Sequence, residues 1–178
     1  MSGSREVQRY RNSLTRKYDG RKNMWLIFVD GIVIVALALF LIFRVVLGIS
    51  TVDGTSMAPT LRNGQKLIFF RLNPTYEIGD IICMRMPNGD QYVKRIRAGP
   101  GDTIELTGDA VYVNGQEIEE EYANGKTELQ EDTVEYPMKL DEEQYFVMGD
   151  NREHSIDSRS FGAIVIYQIQ GRILGNYD

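Results

Sequence analysis

The twenty-six residues from Met24 to Ile49 carry only two charges, Asp30 near one end and Arg44 near the other. A helix crossing a bilayer needs ~20 mostly apolar residues, and this run suffices. Its flank adds direction. Ahead of Trp25 lie seven basic residues (Arg5, Arg9, Arg11, Arg16, Lys17, Arg21, Lys22) against Glu6 and Asp19. That stretch carries +5, so the remainder accounts for −10 of a formal net charge of −5. Basic residues before a span place that side in the cytoplasm. Trp25 suits an interfacial anchor. Arg44, toward the far side, can snorkel to headgroups. The apolar core exceeds the ~7–15 residues of a cleavable signal, and no small-x-small site follows closely. A buried helix of a soluble protein is the weaker reading. The expectation is three segments: a basic cytoplasmic arm over 1–23, an anchor over 24–49, and an extracytoplasmic body over 50–178.

The acidic body has no basic patch, which argues against nucleic acid as a partner. After Leu61, short β-prone runs alternate with turn residues. Strands are expected at Lys66–Arg71, Asp80–Met86, Gln91–Ile96, Thr103–Leu106, Ala110–Val113, Gln116–Ile118, Tyr145–Met148 and Ala163–Ile173. Asn88-Gly89 and Asn114-Gly115 are hairpin signals, because both central residues of a tight turn must tolerate positive φ. The acidic, aliphatic-poor stretch Glu119–Tyr136 reads as an exposed excursion. The fold class is therefore mostly β: a coiled antiparallel, barrel-like sheet preceded by one transmembrane helix. A single cysteine, Cys83, excludes an intramolecular disulfide and sits in an apolar strand pattern as a small core residue.

Three stretches can carry chemistry. The first is Thr51–Leu61, where Ser56 lies between Gly54 and Pro59 on a shaped loop. In the second, Gln91–Ile96, a strand puts Tyr92, Lys94 and Ile96 on one face. Burial there would lower the lysine pKa and allow a neutral general base. A drop of ~3 units costs about 4 kcal/mol, which a function must justify. On this stretch alone, a snorkelling edge-strand lysine is the simpler reading. Arg95 does not deprotonate and cannot serve. The third, Gly149–Gly162, offers Ser155 to orient an amine and Asp157 with Arg159 as an ion pair. His154, the only histidine, is the competing base for Ser56, although its polar neighbours suit an exposed loop. No cluster of ligand residues points to a metal, and no cofactor is expected.

In this order the stretches resemble those of bacterial type I signal peptidases, membrane-bound Ser-Lys proteases that remove signal peptides. The matching elements are Val52–Leu61, Gly79–Ile82, Tyr92–Ile96 with Pro100-Gly101-Asp102, and Gly149–Arg159. The resemblance implies Ser56 as nucleophile, Lys94 as general base, Ser155 positioning the lysine, and Asp157 with Arg159 bracing the site. It also implies that Val52, Leu61, Tyr92 and Val93 line pockets for small residues at substrate positions −1 and −3. Partners would be signal peptides of secreted preproteins and membrane lipid, with the export translocon an open expectation. Gly54 stands where some members, chiefly Gram-negative, carry an oxyanion-binding serine, so the Ser56 N–H must carry more of that task. This and the single anchor suit the Gram-positive branch. Arg97-Ala98-Gly99 departs from the usual apolar-Gly-x. Two rivals remain, a non-catalytic assembly factor for surface structures and a self-cleaving Ser-Lys regulator. The first would have lost the catalytic pair present here. The second needs a DNA-binding domain that ~24 residues do not supply.

Overall fold

The structure, a computed structural model, describes residues 3–72, 75–129 and 134–175, and omits side chains at 3–5 and 13–23 as well. Helix α1 spans Gly3–Leu41 and continues as π-helix over Ile42–Val46. Within it, Met24–Val46 is long and apolar enough to cross a membrane. Of the apolar run 24–49 expected as an anchor, the helical part reaches Val46. Leu47–Ile49 open strand β1, Leu47–Thr51, which pairs with β2, Lys66–Phe70. An apolar run serves either state, and the partner strand decides. Of the basic arm, the side chains of Arg5, Arg16, Lys17, Arg21 and Lys22 lie outside the described residues.

From Val45 onward the chain forms a separate unit built on two antiparallel sheets. The remaining strands are β3 Ile81–Arg85, β4 Gln91–Ala98, β5 Thr103–Thr107, β6 Ala110–Val113, β7 Gln116–Glu117, β8 Met138–Lys139 and β9 Gln144–Met148, then β10 Ile164–Val165 and β11 Ile169–Ile173. A one-turn helix α2, Ser158–Phe161, separates β9 from β10. The larger sheet runs β1-β2-β11-β3-β4-β9-β10 and the smaller β7-β6-β5-β8. The expected mostly β, antiparallel body is what forms. Strand β2 alternates, burying Leu67 and Phe69, whereas central β3 is buried on both faces from Ile81 to Met84. Cys83 lies in that core, fully buried.

Three local expectations change. Asn114-Gly115 makes the tight two-residue turn, with φ of 54° and 77°. At Asn88-Gly89 only the glycine has positive φ, because the Met86–Asp90 loop is longer and Asn88 Oδ1 instead accepts from the Asp90 N–H. Ala163–Ile173 is not one strand. A 3-10 turn at Ile166–Gln168, tied by Gln168 Oε1 to the Val165 N–H, carries the chain from β10 beside β9 to β11 between β2 and β3.

The acidic stretch is the third correction. Glu119–Tyr136 is no free excursion: Thr127 is buried, Asn124 bridges Asn151, and the Asn124 N–H donates to the Asp150 carbonyl at 2.7 Å. Buried Arg97 and Arg152 supply the cations that hold its Glu120. Residues 130–133 of this stretch lie outside the described residues.

Candidate active site

The loop after β1 is closed at its neck by main-chain bonds, Val52 N–H to Gln65 O and Gly64 N–H to Val52 O, both 2.9 Å. Gly54 adopts φ +86°, a conformation costly for other residues, and donates its N–H to Asn63 Oδ1 at 3.0 Å. Turns at Thr55–Ala58 and Met57–Leu61 follow, and the buried side chains of Met57 and Leu61 pin them to the core. Ser56 is thereby carried, half-buried, at a fixed point. Asn151 grips the same turn twice. Its N–H donates to the Ser56 carbonyl at 2.9 Å and its Nδ2 to the Thr55 carbonyl at 3.0 Å.

Lys94 lies on β4 opposite Ile82 of β3. Tyr92 and Ile96 occupy its face as expected, with Nζ 5.6 Å from the Tyr92 ring centre. Only 3% of the lysine is exposed, and Nζ donates to Ser56 Oγ at 2.8 Å. Burial pushes its pKa from 10.5 down to about 8. Asp157 and Asp150 pull the other way, and Arg159 assists the fall. The opposite face of β4 carries Arg95, whose Nε and Nη2 hold Asp150 at 2.9 and 2.8 Å. Thr60 Oγ1 donates to the same carboxylate at 2.6 Å, so Asp150 links strand to serine loop.

The third stretch is folded around a buried ion pair. Arg159 Nε and Nη2 donate to Asp157 Oδ1 and Oδ2 at 2.8 and 2.9 Å. Asp157 also accepts the Gly149 N–H at 3.0 Å and caps α2 through the Arg159 N–H. Ser155 is buried against Gly149, where any Cβ would strike its side chain and the Ser56 carbonyl. The three stretches thus converge. His154 does not join them: it is exposed, its Nδ1 lies 3.3 Å from Asn151 Oδ1, and the group bonded to Ser56 Oγ is Lys94.

A cleft of about 40 Å³ opens beside Ser56 and Lys94, lined by Val52, Met57, Tyr92 and Val93 with polar Ser50 and Asp53 at its edge. Leu61, expected among the lining residues, packs in the core cluster with Val52 and Met57 and is not among the residues that line this cleft. Strand β9 pairs with β4 only from Arg95 onward. Along Gln91–Lys94, that edge has no strand partner among the described pairings.

Reading the sequence did not single out Asn151, Asp150, Thr60 or Glu120. The first two lie inside the third stretch, where polar density was the visible signal. Glu120 had no signal at all, one acid in an acidic tract. Arg97, whose place before Gly99 was an oddity of the sequence, lies buried with Nε 2.7 Å from Glu120 Oε1.

Residues 25–177 match the family model described as signal peptidase, peptidase S26. The chain is 37% identical over 165 residues to signal peptidase I S of Bacillus subtilis strain 168, covering 85% of this chain and 88% of that one. It is 35% identical over 175 residues to signal peptidase I of Bacillus caldolyticus, covering 90% and 92%. A solved signal peptidase I from Enterococcus faecalis V583 aligns at 32% identity over 57% of this chain and 97% of that one, with a TM-score of 0.48.

Proposed function

The chain belongs to the signal peptidase family, peptidase S26, whose type I members are serine proteases that remove signal peptides, and on that footing we propose that Ser56 is its nucleophile and Lys94 its general base. The observation that carries this is the 2.8 Å contact between Lys94 Nζ and Ser56 Oγ at a lysine only 3% exposed. With a pKa of about 8, roughly a tenth of the lysine is neutral at pH 7, against about one part in three thousand at 10.5.

The neutral amine takes the Ser56 hydroxyl proton as Oγ attacks the carbonyl carbon of substrate residue −1. Negative charge develops on the carbonyl oxygen, where the Ser56 N–H donates to it, Gly54 having no side chain to help. The ammonium then returns its proton to the departing amine, and the peptide bond breaks. Water, deprotonated by the same lysine, attacks the acyl-enzyme and frees Ser56. Ser155 confines the lysine from the third stretch, and Asp157 with Arg159 braces that stretch.

The substrate lies along the unpaired Gln91–Lys94 edge as an added strand, with small residues at −1 and −3 against Val52, Tyr92 and Val93. The cleft is small, about 40 Å³, which suits small side chains at these positions. The basic arm stays in the cytoplasm, Met24–Val46 crosses the membrane, and the body after Val46 lies outside, where exported preproteins emerge.

The test is cleavage of a synthetic signal peptide with an Ala-x-Ala site, in detergent, by wild type, Ser56→Ala and Lys94→Ala across pH. The expected result is cleavage after the −1 alanine, lost in both variants, with an acid limb near pH 8. Activity surviving in Lys94→Ala would refute the assignment.

A further inference from the structure

One part-buried carboxylate outside the proposed dyad, its side chain 10% exposed, joins two elements that must stay in register. Glu120 Oε1 lies 2.7 Å from Arg97 Nε, and its two oxygens accept from Arg152 Nη2 and Nη1 at 2.6 and 2.7 Å. Arg97 stands on β4, on the face opposite Lys94, and is 4% exposed. Arg152, 1% exposed, donates Nε to the Gly149 carbonyl at 3.0 Å and Nη1 to Thr127 Oγ1. Two guanidiniums, themselves buried, thus share one carboxylate oxygen. Tyr122 of the same segment lies with its ring 3.9 Å from Arg95 and 5.3 Å from Arg97. The next residue after Gly149 and Asp150 is Asn151, which holds the Ser56 turn.

Two struts therefore run from β4 to the 149–152 turn. One is direct, Arg95 to Asp150. The other passes through the acidic segment, Arg97 to Glu120 to Arg152 to Gly149. We propose that Glu120 is a positioning residue for catalysis, its carboxylate tying β4 to the 149–152 turn and so holding Ser56 at Lys94. This rests on the Ser56–Lys94 reading above. Without the carboxylate, Arg97 and Arg152 face each other as buried like charges, and the turn carrying Asn151 is pushed away from the strand.

The effect is expected on turnover more than on binding, because Val52, Tyr92 and Val93 lie off this strut. It is also expected in the pH profile. Lys94 is faced by Asp157, Asp150 and Arg159 from the third stretch and by Tyr92 and Ser56, and burial is the chief reason it loses its proton readily. A loosened turn admits water and favours the ammonium.

The experiment measures kcat, KM and the pH profile of Glu120→Gln and Arg97→Gln on the Ala-x-Ala peptide, with full-length enzyme in detergent, active sites titrated, and melting recorded in parallel. Glu120→Gln should lower kcat about tenfold or more, with KM changed less than about twofold, since small misplacements of reacting groups cost rate steeply. Its acid limb should move up by about half a pH unit. Arg97→Gln removes one buried cation while keeping the Glu120–Arg152 pair, and should shift both readouts the same way by less. Wild-type kcat and acid limb per active site in both variants, whatever their melting temperatures, would overturn the proposal. If Glu120→Gln does not fold, Arg97→Gln alone decides. An inactive wild type or an active Lys94→Ala would overturn the dyad itself, a separate outcome.

Discussion

Lys94→Met separates the cost of holding the lysine from its use. Methionine has similar length and no charge, and can lie along Tyr92 and Ile96. The carboxylates near Nζ are not stranded by the change, since Asp157 keeps Arg159 and Asp150 keeps Arg95. One pKa unit corresponds to about 1.4 kcal/mol, so a lysine moved from 10.5 to about 8 costs the folded state about 3 kcal/mol at neutral pH. Below pH 8 the lysine is protonated in both folded and unfolded chains, and the cost is fully present. Between pH 8 and 10.5 the folded chain has released this proton while the unfolded chain still binds it, so wild-type stability rises with pH. Above 10.5 both are neutral and the cost is gone. At pH 7, Lys94→Met should therefore be the more stable protein, by up to about 3 kcal/mol less any packing loss. The advantage should shrink by about 3 kcal/mol on going to pH 11, whatever the packing loss, because packing does not titrate. Tyrosines raised by burial, Tyr122 to about 12, affect both proteins alike and cancel in the difference. The assay is urea unfolding in detergent at pH 7 and pH 11, followed by far-UV circular dichroism. The only tryptophan, Trp25, lies in α1, outside the unit that carries Lys94. Parallel stability profiles for the two proteins would refute the claim that Lys94 is held neutral at a cost.

Asp150→Asn leaves buried Arg95 charged with half its fork unmatched and weakens the bond from Thr60; breaking such a pair should cost about 3–5 kcal/mol, seen as a lowered urea midpoint, and an unchanged midpoint would contradict the strut it forms. Gly149→Ala places a Cβ 2.5 Å from the Ser56 carbonyl oxygen and into the Ser155 side chain, so the turn must retreat from the nucleophile. A fall in kcat of about a hundredfold is expected in peptide cleavage by active-site-titrated enzyme, and full turnover would show that the turn moves without disturbing Ser56.

Local chemistry decided a good deal. The charge-poor run after a basic arm is long enough to span a bilayer in any fold, and α1 carries it. Alternation and turn residues placed most strands to within two residues of their ends, because side-chain period and turn geometry act over neighbours in the chain. The Asp157–Arg159 pair was legible as an ion pair, whereas Ser56 and Lys94 stood out only through the resemblance that the three stretches carry in combination. What neighbours could not decide came from pairing at a distance. Leu47–Ile49 are apolar enough for helix or strand, and β2, twenty residues on, made them a strand. Ala163–Ile173 reads as one strand, yet its ends belong beside β9 and between β2 and β3, so the chain had to turn. Leu61 carries a pocket residue's position in the motif, but the turn points it into the core. Glu120 is one of many acids in its segment, distinguished only by where Arg97 and Arg152 end up, 23 and 32 residues away. A carboxylate's meaning depends on the charges buried against it, and those come together only when the chain has folded.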